Sequence, residues 1–418
     1  MNIRQRLGLP IAALLGLWVA APAPAPAAAQ GTIKIGYTEA LSGTFSQIGD
    51  QGIKSIQAII DVVNAKGGAL GKKLELVPID NKAQPADALQ ALQKMVDDGL
   101  PIILNCGPSN IAAALVDAVN KNNDRNKDRR IVYVNCGAVA PELTNEKCSF
   151  WHFRTDAHAG MKAEIMVRGL PKTVTKVYMI NQDYLFGQAV QRDLRAYLEK
   201  LRPDVTIVGD ELIPLGKVKD FSAYVAKVKL SGAQALLTGN WGPDLSLLVK
   251  AGMDAGLGID YFGYYAHLAG GPTAIGPGGN GKVHSVMNFS ENMGVQLNNQ
   301  ALDAWVQSFR AKHDFDFVFG DRRLAVEMIA AAINKAGSTD PLKIALAMEG
   351  MSLTDATGQP VTMRADDHQV LMPYYLGTFT TGMKYDSEKT GLGWRIDTTI
   401  TAAEIAQPTT CKMKRPTS

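Results

Sequence analysis

The chain has 418 residues, 46% of them apolar and 20% charged, with a formal net charge of +3. That length and apolar content support a large buried core and suggest two lobes. A balance this near neutral gives no electrostatic footprint for nucleic acid or an acidic membrane, so neither is expected as a partner.

Arg4 and Arg6 precede an apolar run, Leu7 to Ala21, and an Ala-Pro repeat leads to Ala27-Ala28-Ala29. Charged, apolar and small segments in that order read as a secretory signal peptide, with cleavage expected after Ala29. The run is shorter than the roughly 20 residues of a membrane span, and no cysteine stands at the cut to carry a lipid. Residues 30–418 are therefore expected as a soluble, exported, periplasmic protein. An oxidising compartment favours disulfides for Cys106, Cys136, Cys148 and Cys411. Four cysteines allow three pairings. Cys106 and Cys136 each end a strand pattern inside an Asn-Cys-Gly triplet. If those strands are neighbours the two sulfurs are close, which leaves Cys148 with Cys411. No C-x-x-C pair suggests zinc, and no cofactor or metal is expected.

The body alternates. Thr32 to Thr38 reads as a buried strand, and Asp50 to Lys66 as a helix with Ile53, Ile56, Ile60 and Val63 on one face. Strand Lys73–Ile79, helix Pro85–Asp98, strand Ile102–Asn105, helix Ser109–Asn120 and strand Ile131–Val134 follow. The charged run Lys121 to Arg130 reads as a solvated connection. A second series runs through helix Ala159–Leu170, strand Lys176–Ile180, helix Gln188–Leu201 and strand Thr206–Leu212. Helix Phe221–Leu230, strand Ala235–Thr238, helix Asp244–Ala255 and strand Tyr261–Tyr265 complete it. Regular alternation predicts an α/β fold of two doubly wound parallel-sheet lobes. Ligands on such sheets bind beyond the carboxyl ends of strands, which selects the loops after each strand.

Enzyme motifs fail on inspection. Gly276 to Lys282 has phosphate-loop spacing, but Val283 stands where the motif needs Ser or Thr, and no strand pattern precedes it. No dinucleotide fingerprint, nucleophile elbow or zinc-protease helix appears. His152 and His158 have no carboxylate at metal-site spacing. The chain is expected not to be an enzyme.

Several segments together carry a resemblance: Ile33 to Gly68, Pro141 to Thr144, Phe153 to Thr155, Asp183 to Gly187 and Asp220 to Ser222. In that order they resemble the branched-chain amino acid (Leu/Ile/Val) binding proteins, the type I periplasmic solute-binding proteins of ABC transporters. The resemblance covers Thr32 to about Thr380. It implies two lobes joined by three crossover strands, placed near Trp151–Asp156, Val283–Glu291 and Leu353–Val361. The expected division is an N-terminal lobe of 30–152 with 285–355, a C-terminal lobe of 153–284 with 356–400, and a tail of 401–418. It further implies a small solute held in the cleft by hinge closure, a permease and ATPase as partners, and action as a monomer.

Carried over by position, the ligand contacts fall on Phe45, Ser46 and Ile48 after the first strand. Ser109 and Asn110 follow at a helix start, where backbone N–H groups favour a carboxylate. Gly137, Ala138 and Val139 come next, then Tyr184, Phe186, Trp241, Tyr264 and Tyr265 from the second lobe. Two departures stand out. Val139 replaces a threonine hydroxyl, and Tyr264 to His267 lacks the glutamate that would pair with a ligand's ammonium; Asp244 and Glu291 are alternative sources of that charge. A buried ammonium without an anion is costly. An aromatic or apolar carboxylate is thus the expected solute. The alternatives are a branched-chain amino acid or amide binder, a diffusible sensor for a membrane receptor, and an exported hydrolase.

Overall fold

Runs of β-branched and aromatic residues form the strands, and the structure, a computed structural model, describes residues 31–416. The expected signal peptide and its cleavage point lie outside the described residues. The first sheet holds β1 (Thr32–Glu39), β2 (Lys73–Asp80), β3 (Ile102–Asn105), β4 (Val132–Asn135) and β5 (His152–Arg154). All are parallel, in the order β2-β1-β3-β4-β5. The second begins with β6 (Lys176–Gln182), β7 (Thr206–Ile213), β8 (Ala235–Thr238), β9 (Asp260–Gly263) and β10 (Val283–Met287), again parallel. A small antiparallel sheet follows: β11 (Ser352–Thr354), β12 (Pro360–Met363) and β13 (Val370–Leu371). Finally β14 (Tyr374–Thr380) and β15 (Gly393–Ile400) extend the second sheet antiparallel, giving β15-β14-β10-β9-β8-β6-β7.

The helices that connect the parallel strands include α1 (Ser46–Ala65), α2 (Pro85–Asp97), α3 (Ser109–Arg125), α4 (Ala159–Arg168), α5 (Leu185–Leu201), α6 (Ser222–Ser231) and α7 (Gly242–Asp254). The result is two α/β lobes, as alternation predicts. Among the described residues no helix is long and apolar enough to cross a membrane.

Four local departures have physical causes. Helices α1, α5 and α7 each start two to four residues before the amphipathic pattern does. Their first turns border the space between the lobes, so Ile48 and Phe186 there, and Trp241 at the cap of α7, line the cavity instead of following the core periodicity. Helix α3 runs on to Arg125, into the stretch expected as a connection. Asn123 is buried and exchanges hydrogen bonds with the backbone of Ile131 (2.8 and 3.0 Å), fixing the helix end against the sheet. The strand expected over Tyr261–Tyr265 stops at Gly263. The third passage between lobes is not at Leu353–Val361. There the Asp355–Gln359 turn folds the chain back into the β11–β12 hairpin. The chain instead meets β5 at an Arg154–Gln369 bridge and enters the second sheet at Tyr374.

Arg154 explains the Phe-Arg-Thr segment. It is fully buried, and its guanidinium donates to Gln369 Oε1 (2.7 Å), the Ala140 carbonyl (2.7 Å) and the Thr144 hydroxyl. One cation thereby ties β5, the loop after β4 and the third passage. The disulfides form as Cys106–Cys136 and Cys148–Cys411. The first requires neighbouring strands, and β3 pairs with β4. Gly107 and Gly137 follow those cysteines because the chains run so close there. A Cβ on Gly107 would lie 2.1 Å from Glu39 Oε1, and one on Gly137 2.4 Å from the Cys106 carbonyl oxygen.

Candidate functional site: a closed cleft between the lobes

The carboxyl ends of β1, β3 and β4 face those of β6, β8 and β9 across a cavity, as the switch-point rule for open sheets requires. Eight expected residues border it. Ile48, Ser109, Gly137 and Val139 come from the first lobe, and Tyr184, Phe186, Trp241 and Tyr265 from the second. Five others stand apart from the cavity lining. Phe45 packs its ring on Trp241 at 4.4 Å, from outside the lining. Ser46 opens α1, and Asn110 lies in the first turn of α3. Ala138 turns its carbonyl to Asn135 Nδ2 (2.8 Å). Tyr264 is fully buried and donates to the Ala159 carbonyl (3.0 Å), a core role that shortening β9 makes possible.

The cleft is closed. Besides the Phe45–Trp241 contact, Arg192 on α5 pairs with Glu142, in the turn after β4, at 2.8 Å. Trp241 Nε1 donates to the Tyr184 hydroxyl (2.9 Å), locking two second-lobe rings in one arrangement. Helix α3 begins with Pro108 as its cap and Ser109 buried at the cavity, and no side chain caps that end. Its first N–H groups are thereby left for an anion.

Sequence reasoning missed the charged lining altogether: Glu39, Asp156, Lys162, Asp321 and Arg322. Asp156 and Lys162 form a buried ion pair at 2.7 Å, each 4% exposed, and the Tyr374 hydroxyl also donates to Asp156. Lys162 Nζ lies 4.7 Å from the centre of the Tyr265 ring, a cation–π distance. Glu39 accepts from the Ala40 and Cys106 amides (both 3.2 Å), and burial pushes its carboxyl up while Arg322 pulls it down. Burial, then Asp156, raises the Asp321 carboxyl, while Arg322 and Lys162 lower it. His267, hydrogen-bonded to Ser285, is held neutral by burial, lowered to about 3. The acids suggested as replacements for the absent glutamate do not serve. Asp244 accepts from Gln182 and the Gly216 amide, and Glu291 pairs with Arg310; neither borders the cavity. Lys162 is buried with the rest of the first turns of α4, a position where an unpaired lysine is rarely found, and no local sequence pattern marks it.

Two α/β lobes that meet over a cavity at their strand ends are the architecture expected of a binding protein. The comparison of sequences agrees, for residues 32–384 match the family described as "Periplasmic binding protein", and the chain belongs to that family. It is 29% identical over 405 residues to "Leu/Ile/Val-binding protein homolog 4" of Brucella abortus (strain 2308), covering 94% of this chain and 95% of that one. It is also similar to the crystal structure of the leucine-, isoleucine-, valine-, threonine- and alanine-binding protein from Brucella ovis in its closed conformation. The TM-score is 0.81 with 28% identity, over 92% of this chain and 99% of that one. The fold is shared, at a TM-score of 0.76 and 17% identity, with a Rhodopseudomonas palustris BisB5 ABC-transporter solute-binding protein in complex with 3,4-dihydroxybenzoic acid. That likeness covers 89% of this chain and 98% of the other.

Proposed function

We propose that this protein is the periplasmic capture subunit of an ABC importer, working as a monomer, and that its solute is a small carboxylic acid with an aromatic or apolar body. One observation carries the reading: the cavity sets four aromatic side chains, Tyr184, Phe186, Trp241 and Tyr265, opposite the uncapped start of α3. The rings suit a flat apolar body, and the helix start suits a carboxylate. Closure completes the site and presents both lobes in one geometry, the form that a permease and its ATPase would read. The fold itself accommodates both kinds of solute, since relatives are named for branched-chain amino acids and a neighbour holds an aromatic acid.

A second reading, an α-amino acid, draws on Asp321. Its carboxylate borders the cavity and supplies an anion that the segment Tyr264 to His267 does not. A thermal-shift screen of the exported chain separates the two. A solute at 1,000 times its dissociation constant stabilises the native state by about 4.1 kcal/mol, enough to move the midpoint by several degrees. Shifts with benzoates or aliphatic acids support the first reading. A shift with leucine or valine alone supports the second and sinks the first.

A further inference from the structure

Arg322 is 3% exposed, borders the cavity, and has two N–H groups, Nε and Nη1, with no acceptor among the described residues. Its guanidinium carbon lies over the Phe319 ring, 3.4 Å from the ring centre. Gly52 makes the room, because a Cβ there would lie 2.7 Å from Arg322 Nη1. Native proteins rarely leave buried donors unpaired, and such a group asks for a missing partner. Glu39 is the nearby acid, but it is already supplied by the Ala40 and Cys106 amides and forms no ion pair with Arg322 among the described residues. Asp321, next along the chain in the same first helical turn (Gly320–Ala336), also borders the cavity.

Three solute groups can be weighed against this pair. A second carboxylate would satisfy Arg322 but face Asp321, Glu39 and Asp156 together. An ammonium would satisfy Asp321 and leave the arginine donors orphaned. Of these three, only a hydroxyl both donates and accepts, so it suits a cavity bordered by both an acid and a guanidinium.

We propose that Asp321 and Arg322 form a hydroxyl-reading subsite, so that the preferred solute is a hydroxy-substituted acid. The inference rests on the carboxylic-acid reading above. The test is calorimetric titration of the full exported chain with benzoate, 3-hydroxybenzoate, 4-hydroxybenzoate and leucine. The wild-type protein should bind the better hydroxybenzoate at least tenfold tighter than benzoate. In Arg322→Met and Asp321→Asn that ratio should fall below threefold, and Arg322→Lys should retain part of it. Melting without solute identifies any variant that fails to fold; if Arg322→Met does so, Asp321→Asn reads the same ratio. Equal binding of benzoate and both hydroxybenzoates, or a ratio unchanged in the variants, overturns the subsite while leaving the carboxylic-acid reading standing. Binding of leucine alone, or of none of the acids, overturns that reading and the subsite with it.

Discussion

The two walls of the cleft are built on different physics. The first-lobe wall is polar and tied down: the start of α3, the Cys106–Cys136 bridge between the loops after β3 and β4, and Arg322 wedged against Phe319. The second-lobe wall is made of rings that hold one another, Trp241 on Tyr184 and Phe186 between Tyr184, Tyr264 and Tyr265. A polar wall orients charge and works only where donors are fixed in advance. An aromatic wall gains its energy from area and needs only to close. The difference suggests that selectivity resides on the first wall and affinity on the second.

Between the walls lies Lys162–Asp156, and breaking it should give the largest effect. Lys162→Met strands a buried carboxylate, which costs about 3–5 kcal/mol when one partner of such a pair is removed. Urea unfolding at neutral pH measures the loss. Adding Asp156→Asn should recover most of it. If Lys162→Met unfolds at the wild-type midpoint, the pair does not stabilise the fold, and Lys162 would have to be reassigned as a solute contact.

Trp241→Ala comes next; it opens the second wall and removes the ring that Phe45 of the first lobe packs against. A buried aromatic anchor is worth about 2 kcal/mol or more on truncation, and here the change also frees the Tyr184 hydroxyl and exposes Phe45. Titration with the best solute should show roughly a thirtyfold loss, while the rank order among solutes stays the same. A changed rank order with little loss would reverse the assignment of affinity and selectivity.

How much of this was legible beforehand follows the same divide. The strands and the aromatic wall could be read because each depends on local pattern: β-branched runs, and rings just past a strand end. The disulfide pairing followed from two Asn-Cys-Gly triplets once β3 and β4 were neighbours. The charged lining was not legible, because Glu39, Asp156, Lys162, Asp321 and Arg322 meet only after three passages between lobes bring distant segments together. The third of those passages was misplaced, since a hairpin at β11–β12 and a crossing strand share the same short β-branched pattern. Asp321 sits in a first helical turn, where an acid satisfies the helix dipole and attracts no notice, and Arg322 follows it with no local pattern to mark it as a cavity residue.

The smallest expected effect is the sharpest test of the first wall. Val139 is 1% exposed and borders the cavity, at a position where the resemblance leads one to expect a threonine in an amino acid binder. Val139→Thr changes little in volume but adds a hydroxyl that must find a partner. If the solute is an acid without an amino group, that hydroxyl gains nothing from it. Affinity for the best benzoate should then hold or weaken by about 1 kcal/mol, at the lower end of the cost of an unsatisfied polar group. A gain of tenfold or more for leucine, measured in the same titration, would mean that this wall is one hydroxyl short of an amino acid site. Asp321 would then be an ammonium partner in waiting, and selectivity would depend on a single side chain of the first wall rather than on the Asp321–Arg322 pair.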